Sequence, residues 1–121
     1  MKSTPRTRKL GENVREALAD VLLTEVQDPR VELATITSVQ VSADLHFANV
    51  YVTTHGGQDE YDALLAGLRS ADKRIRAALA RRVQMRIVPE LRYHIDTSVD
   101  EGMRIAEALK DVPPGLAGNA E

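Results

Sequence analysis

An aspartate stands in the middle of an apolar helical stripe, and the chain has to fold around it. Tyr61, Leu64, Leu65, Leu68, Ile75, Leu79 and Val83 recur at the i, i+3, i+4, i+7 spacing of one helix face. Ala, Leu and Arg dominate the stretch, which suits a helix interior. Asp72 falls between Leu68 and Ile75, where an unbroken helix would bury a carboxylate at a cost of several kcal/mol. Asp also disfavours helix interiors and favours N-caps. The spacing predicts a break near Ser70-Ala71-Asp72, with Ser70 or Asp72 capping a second helix that runs to about Arg82. The alternative is an Asp72 at the edge of the face, reaching water.

Charge gathers at the same place. Seven of the sixteen Lys and Arg residues lie between Arg69 and Arg86, with Asp72 the sole acid among them, although the net charge is −2. Lys2, Arg6, Arg8 and Lys9 form a second basic cluster that opens the chain without a carboxylate. Such segregation fits either a solvated Arg-rich helix face or a surface that meets polyphosphate. A helix break favours the second reading, because it frees backbone N–H groups beside Lys73, Arg74 and Arg76. The candidate polyphosphate-contact set is Ser70, Ala71, Asp72, Lys73, Arg74 and Arg76, then Arg81, Arg82 and Arg86, with Lys2, Arg6, Arg8 and Lys9 at the N-terminus.

The remaining elements follow from periodicity. Residues 1–7 read as a flexible basic arm, residues 8–110 as one domain and residues 111–121 as a disordered tail rich in Pro, Gly and small residues. Leu10, Val14, Leu18, Val21 and Leu22 mark a first helix over Arg8–Glu25, closed by Asp28-Pro29. Ala34–Val41 and His46–Thr53 read as a hairpin about the turn Ser42-Ala43-Asp44-Leu45, with Ala48, Val50 and Val52 facing inward. Met85, Ile87, Pro89, Leu91, Tyr93 and Ile95 alternate with Arg86, Glu90, Arg92, His94 and Asp96, which predicts a strand with one buried face. Pro89 puts that strand at an edge or a bulge. Thr97 or Ser98 would cap a last helix carrying Val99, Met103, Ala106 and Leu109. The fold class is α+β: a three-stranded sheet covered on one face by helices, in the order α-β-β-α-(kink)-α-β-α. Leu68, Ile75, Leu79, Val50, Val52, Ile87 and Leu91 should share one core with Leu18 and Leu22.

Several function classes drop out. There is no Cys, so disulfides and thiolate metal sites are excluded. His46, His55 and His94 lack metal-ligand spacing, and no Walker A or G-x-G-x-x-G loop occurs. His94, Asp96 and Ser98 alternate along one strand and its end, so they cannot converge as a triad. Asp59, Glu60 and Asp62 sit where acids favour a helix start. No catalytic residue, cofactor or metal is expected. Four aromatics and no Trp make a stacking platform for bases a poor expectation. The basic N-terminus lacks a following apolar signal core and no stretch approaches membrane-spanning length, so a soluble, cytoplasmic monomer is expected, with no membrane partner.

A hairpin, a helix–break–helix and a strand is the topology of a prokaryotic-type (type II) K-homology RNA-binding domain. Asp28-Pro29-Arg30, Ser42-Ala43-Asp44-Leu45-His46-Phe47-Ala48-Asn49-Val50-Tyr51-Val52, Arg86-Ile87-Val88-Pro89-Glu90-Leu91 and Asp96-Thr97-Ser98-Val99-Asp100-Glu101-Gly102-Met103-Arg104-Ile105 together resemble the ribosome-binding factor A family. The resemblance covers residues 6–110 or so, and the combination is specific where any single segment would be weak. It implies a K-homology-like fold and a bacterial, non-enzymatic assembly factor. Its implied partners are the small (30S) ribosomal subunit and 16S ribosomal RNA, met during late maturation, rRNA processing and cold adaptation. The family replaces the G-x-x-G loop of standard K-homology domains with a kink written Ala-x-Gly. Here Ala71-Asp72-Lys73 occupies those positions, so the Gly is missing and a positive charge is added. Lys adopts positive φ less cheaply than Gly, so a milder kink is expected. The competing readings are a general single-stranded RNA-binding K-homology module and a basic face that serves an acidic protein.

Overall fold

The computed structural model describes residues 4–85 and 87–98. Lys2, Arg86, the expected last helix beyond Ser98 and the 111–121 tail lie outside the described residues. Among those described, no helix is long and apolar enough to cross a membrane.

Helix α1 spans Pro5–Thr24 and starts three residues before the expected Arg8. Thr4 caps it: the Thr7 N–H donates to Thr4 Oγ1 at 3.2 Å, and Thr7 Oγ1 accepts from the Thr4 N–H at 2.8 Å. This is a reciprocal box with Thr in the place usually held by Glu or Gln, and Pro5 has the φ that a first helical turn requires. Residues 5–7, including Arg6, therefore belong to the helix and not to a flexible arm. Thr7, Gly11, Val14, Leu18, Val21 and Leu22 are its buried positions.

Strands β1 (Thr35–Val41) and β2 (Phe47–Thr53) pair antiparallel, with a bulge between Ile36 and Ser38. The turn between them is closed by side chains. Ser42 Oγ donates to Asp44 Oδ1 at 2.7 Å, and the Phe47 N–H donates to Ser42 Oγ at 3.1 Å. After the hairpin come α2 (Gln58–Ser70), α3 (Asp72–Arg82) and β3 (Glu90–Ile95), the last running parallel to β2. The sheet order β1-β2-β3 leaves β3 at an edge, as Pro89 suggested.

Helix α1 packs on β1, and α2 packs on β3. Gly11 permits the first approach: a Cβ there would stand 2.6 Å from the Val39 carbonyl oxygen. Val14, Leu18, Val21, Ala48, Val50, Val52, Leu64, Leu68, Ile75 and Leu79 form the centre of one core. Every expected core residue is buried except Ile87, which is 75% exposed. The alternation read from Met85 onward fails because the strand begins only at Glu90. Residues 84, 85 and 87–89 lie in no strand, so a period of two has no pleat to act on there.

Candidate nucleic-acid interface

The break expected from Asp72 is present and shallow. Ala71 alone separates α2 from α3, at φ −94° and ψ 3°. The Ala71 N–H reaches the Gly67 carbonyl at 3.1 Å and the Ile75 N–H reaches the Ala71 carbonyl at 2.9 Å, so helical hydrogen bonding spans the junction. Positive φ occurs among the described residues at Leu45 and Gly56, not at the kink. This explains why Lys73 can stand where the family pattern has Gly: the turn needs no left-handed residue.

Neither Ser70 nor Asp72 caps α3, contrary to expectation; the cap position is Ala71, which has no polar side chain to offer. Asp72 finds another partner. The Tyr93 hydroxyl donates to Asp72 Oδ1 at 3.0 Å, which offsets the cost of a half-buried carboxylate by tying α3 to β3. Burial pushes the Tyr93 hydroxyl well above its ordinary value, the Asp72 charge and hydrogen bond add to this, and Arg76 opposes them. The phenol is therefore a permanent donor at neutral pH.

The candidate cations separate into groups. Lys73 and Arg74 are exposed at the start of α3, and among the described residues neither has an ion-pair partner. With Ser70 and Ala71 they share a shallow hollow with Val26, Gln27 and Asp28, from the segment that follows α1. Asp28 does not neutralise them, because Arg30 grips its carboxylate at 2.7–3.2 Å. Those hydrogen bonds hold the Asp28 carboxyl below the usual range. Gly67 lets this loop lie against α2: a Cβ there would stand 2.8 Å from Val31 Cγ2. Exposed Arg69, which the candidate set omitted, lines a second hollow beside the kink with Asp72, Arg92 and Tyr93. Its place in the basic run was the available signal.

Arg76 was expected among the surface contacts but is half-buried, and its Nε is enclosed without a hydrogen-bond partner. Arg81 and Arg82 are engaged as well, by acids of α1 and its C-cap. Arg82 Nε donates to Asp20 at 2.8 Å and its Nη2 to Thr24 Oγ1 at 3.2 Å, while Arg81 pairs with Glu25 at 3.3 Å. Only 25% of the Arg82 side chain reaches solvent. These two link α3 to α1. Arg6, Arg8 and Lys9 are exposed on the first turns of α1. That is the opposite end of the helix from the one beside the kink.

No catalytic arrangement is assembled among the described residues. Asp96 accepts from Thr37 Oγ1 at 2.6 Å and from the Ser98 N–H at 3.0 Å, whereas His94 pairs with Asn49 at 2.9 Å, so no triad forms from the three. No group of three potential metal ligands occurs among the described residues. Of the four aromatics, Tyr61 and Tyr93 are buried. Phe47 is covered by Arg92 at 4.0 Å, and Tyr51 lies 5.2 Å from the His94 ring.

A sequence model described as Ribosome-binding factor A matches residues 6–109. Ribosome-binding factor A of Thiobacillus denitrificans is 40% identical over 109 residues, spanning 90% of this chain and 88% of that protein. The crystal structure of ribosome-binding factor A from Thermus thermophilus is similar with a TM-score of 0.66 at 34% identity, covering 74% of this chain and 93% of that one. Another neighbour is the Thermus thermophilus protein as a homology model fitted into a cryo-EM map of a 30S complex. It has a TM-score of 0.62 at 33% identity and covers 75% of this chain and 96% of that one. Sequence and fold agree: the chain belongs to the ribosome-binding factor A family.

Proposed function

We propose that this protein is a non-catalytic assembly factor that binds the free 30S subunit and its 16S rRNA in the cytoplasm. It acts as a monomer during late maturation and rRNA processing, with a role in cold adaptation. The observation that carries this reading is the pair Lys73 and Arg74, exposed at the helix break beside an Asp28 already neutralised by Arg30. Cations so placed contact phosphates, which fix position without reading sequence. Specificity then comes from the shape of the particle, since structured RNA is recognised largely by its form. Arg6, Arg8 and Lys9 supply a second, separate set of phosphate contacts. Family membership and the 30S complex of the Thermus protein support the choice of particle. Sedimentation of cell lysate tests it: the protein should co-migrate with free small subunits and leave that fraction after nuclease treatment. Binding to short oligonucleotides with no co-migration would favour a general K-homology module instead. Association that survives nuclease would point to an acidic protein partner.

A further inference from the structure

At the end of α1 far from the kink, a hollow of about 540 Å³ opens between α1, the β1–β2 turn and the irregular link before β3. Its size lies within the roughly 300–1,000 Å³ typical of small-molecule sites. Leu10, Leu45, Met85 and Ile87 give it an apolar lining, and Arg6 and Lys9 stand at its rim. Both cations are exposed and have no ion-pair partner among the described residues. Asp44 also reaches the rim, but Ser42 and the His46 N–H hold its carboxylate, so it competes little for the cations. Hydrogen bonding from Ser42, then from His46, keeps that carboxyl below the usual range.

The lining is held in place and is not a chance gap. Leu45 has φ 62°, a left-handed conformation that a branched side chain adopts only when its surroundings enforce it. The enforcement is visible: the Leu45 N–H donates to the Ser42 carbonyl at 2.9 Å, inside the hydrogen-bonded turn. Ile87, which lines the same hollow, stands 75% exposed, the one expected core residue left in water.

We infer that this hollow receives one unstacked nucleotide of single-stranded RNA, its base against the apolar lining and its phosphates on Arg6 and Lys9. The occupant must join an apolar body to anionic groups, and a nucleotide within a strand does so with a phosphate on each side. Residues at i and i+3 of a helix are neighbours, so the two cations can serve consecutive phosphates. Asn13 and Gln84 add amide donors and acceptors at the wall, suited to a base edge. With no aromatic ring in the lining, the grip is by aliphatic and thioether contact and tolerates different bases. The inference rests on the reading that this protein meets RNA, and it gives the N-terminal cations a ligand distinct from the phosphates of structured RNA proposed at the kink.

The test uses the full chain, labelled at Met and Ile methyls, titrated with a single-stranded hexaribonucleotide carrying 2-aminopurine. Binding should shift the Met85 and Ile87 methyl signals and brighten the fluorescent base as it leaves its stack. Ile87→Asp, at an exposed position that tolerates a charge, should weaken the hexamer about tenfold and leave duplex RNA binding unchanged. Lys9→Glu provides a second variant, which should also weaken the hexamer about tenfold. Strand binding with unmoved methyl signals would overturn the hollow while leaving the kink interface standing. Equal affinity of the folded Ile87→Asp and Lys9→Glu variants would overturn it too. Failure to bind either single-stranded or duplex RNA would remove the proposed function itself. Displacement of RNA by an acidic, aliphatic peptide that binds more tightly would reassign the hollow to a protein partner.

Discussion

At the start of α3, Lys73 and Arg74 project into water, with no acid among the described residues to hold them. At the other end of the same helix, Arg81 and Arg82 reach across to Asp20, Thr24 and Glu25. The residue types are alike and the helix is the same, but only the first pair keeps its donors free for a phosphate. The difference comes from the neighbour each end meets. The N-terminal end lies beside Asp28, whose charge Arg30 already neutralises, whereas the C-terminal end meets Asp20 and Glu25. A basic run in a sequence thus counts potential contacts, and tertiary placement decides which remain available.

The largest expected effect lies between the two ends. Leu79 is fully buried, and Leu79→Ala should cost about 2–5 kcal/mol, measured as a fall in the urea midpoint. An unchanged midpoint would mean that the packing that orients both ends is misassigned. Next is the tie that holds the break. Tyr93→Phe leaves half-buried Asp72 without its donor and should cost about 1–3 kcal/mol. Arg82→Ala should lower the melting temperature by less than either, because its partners are largely solvated, and should leave RNA affinity unchanged. A clear loss of affinity in a stable Arg82→Ala protein would erase the contrast between the two ends.

The smallest expected effect is a pH dependence. The folded-state pKa of Tyr93 is raised above the ordinary 10.0, so its stabilising effect is complete below about pH 10. It is then lost as the pH rises further, through the range in which the unfolded chain ionises and toward the raised folded value. The urea midpoint of the wild type should therefore fall more steeply from pH 9 to about pH 11 than that of Tyr93→Phe. Parallel curves would show that the phenol is not protected by the fold.

Much of the fold could be read from local pattern. Ala48, Val50 and Val52 alternate inward in β2, and Asp72 marks the break between α2 and α3. What escaped the pattern had non-local or unusual causes. Helix α1 begins at Pro5 because two threonines form its cap, a box without the usual acid. Ile87 kept the parity of β3 but preceded the strand itself. The partners of Arg81 and Arg82 lie 56 and 62 residues away, which no local window can show. The kink cations, by contrast, were legible because a carboxylate in an apolar stripe forces a local rearrangement wherever the rest of the chain goes.

The central claim is that the free end of α3, and not the tied end, carries the RNA contact. Binding of structured small-subunit rRNA, titrated across salt concentrations, tests it with the double variant Lys73→Glu/Arg74→Glu, using circular dichroism as the folding control. The wild type should show log K falling with log salt at a slope of roughly −3, and the double variant should bind more weakly with a slope about two units shallower. An Arg81→Glu/Arg82→Glu protein that still folds should keep the wild-type slope. A folded Lys73→Glu/Arg74→Glu protein with unchanged affinity and slope would contradict the account.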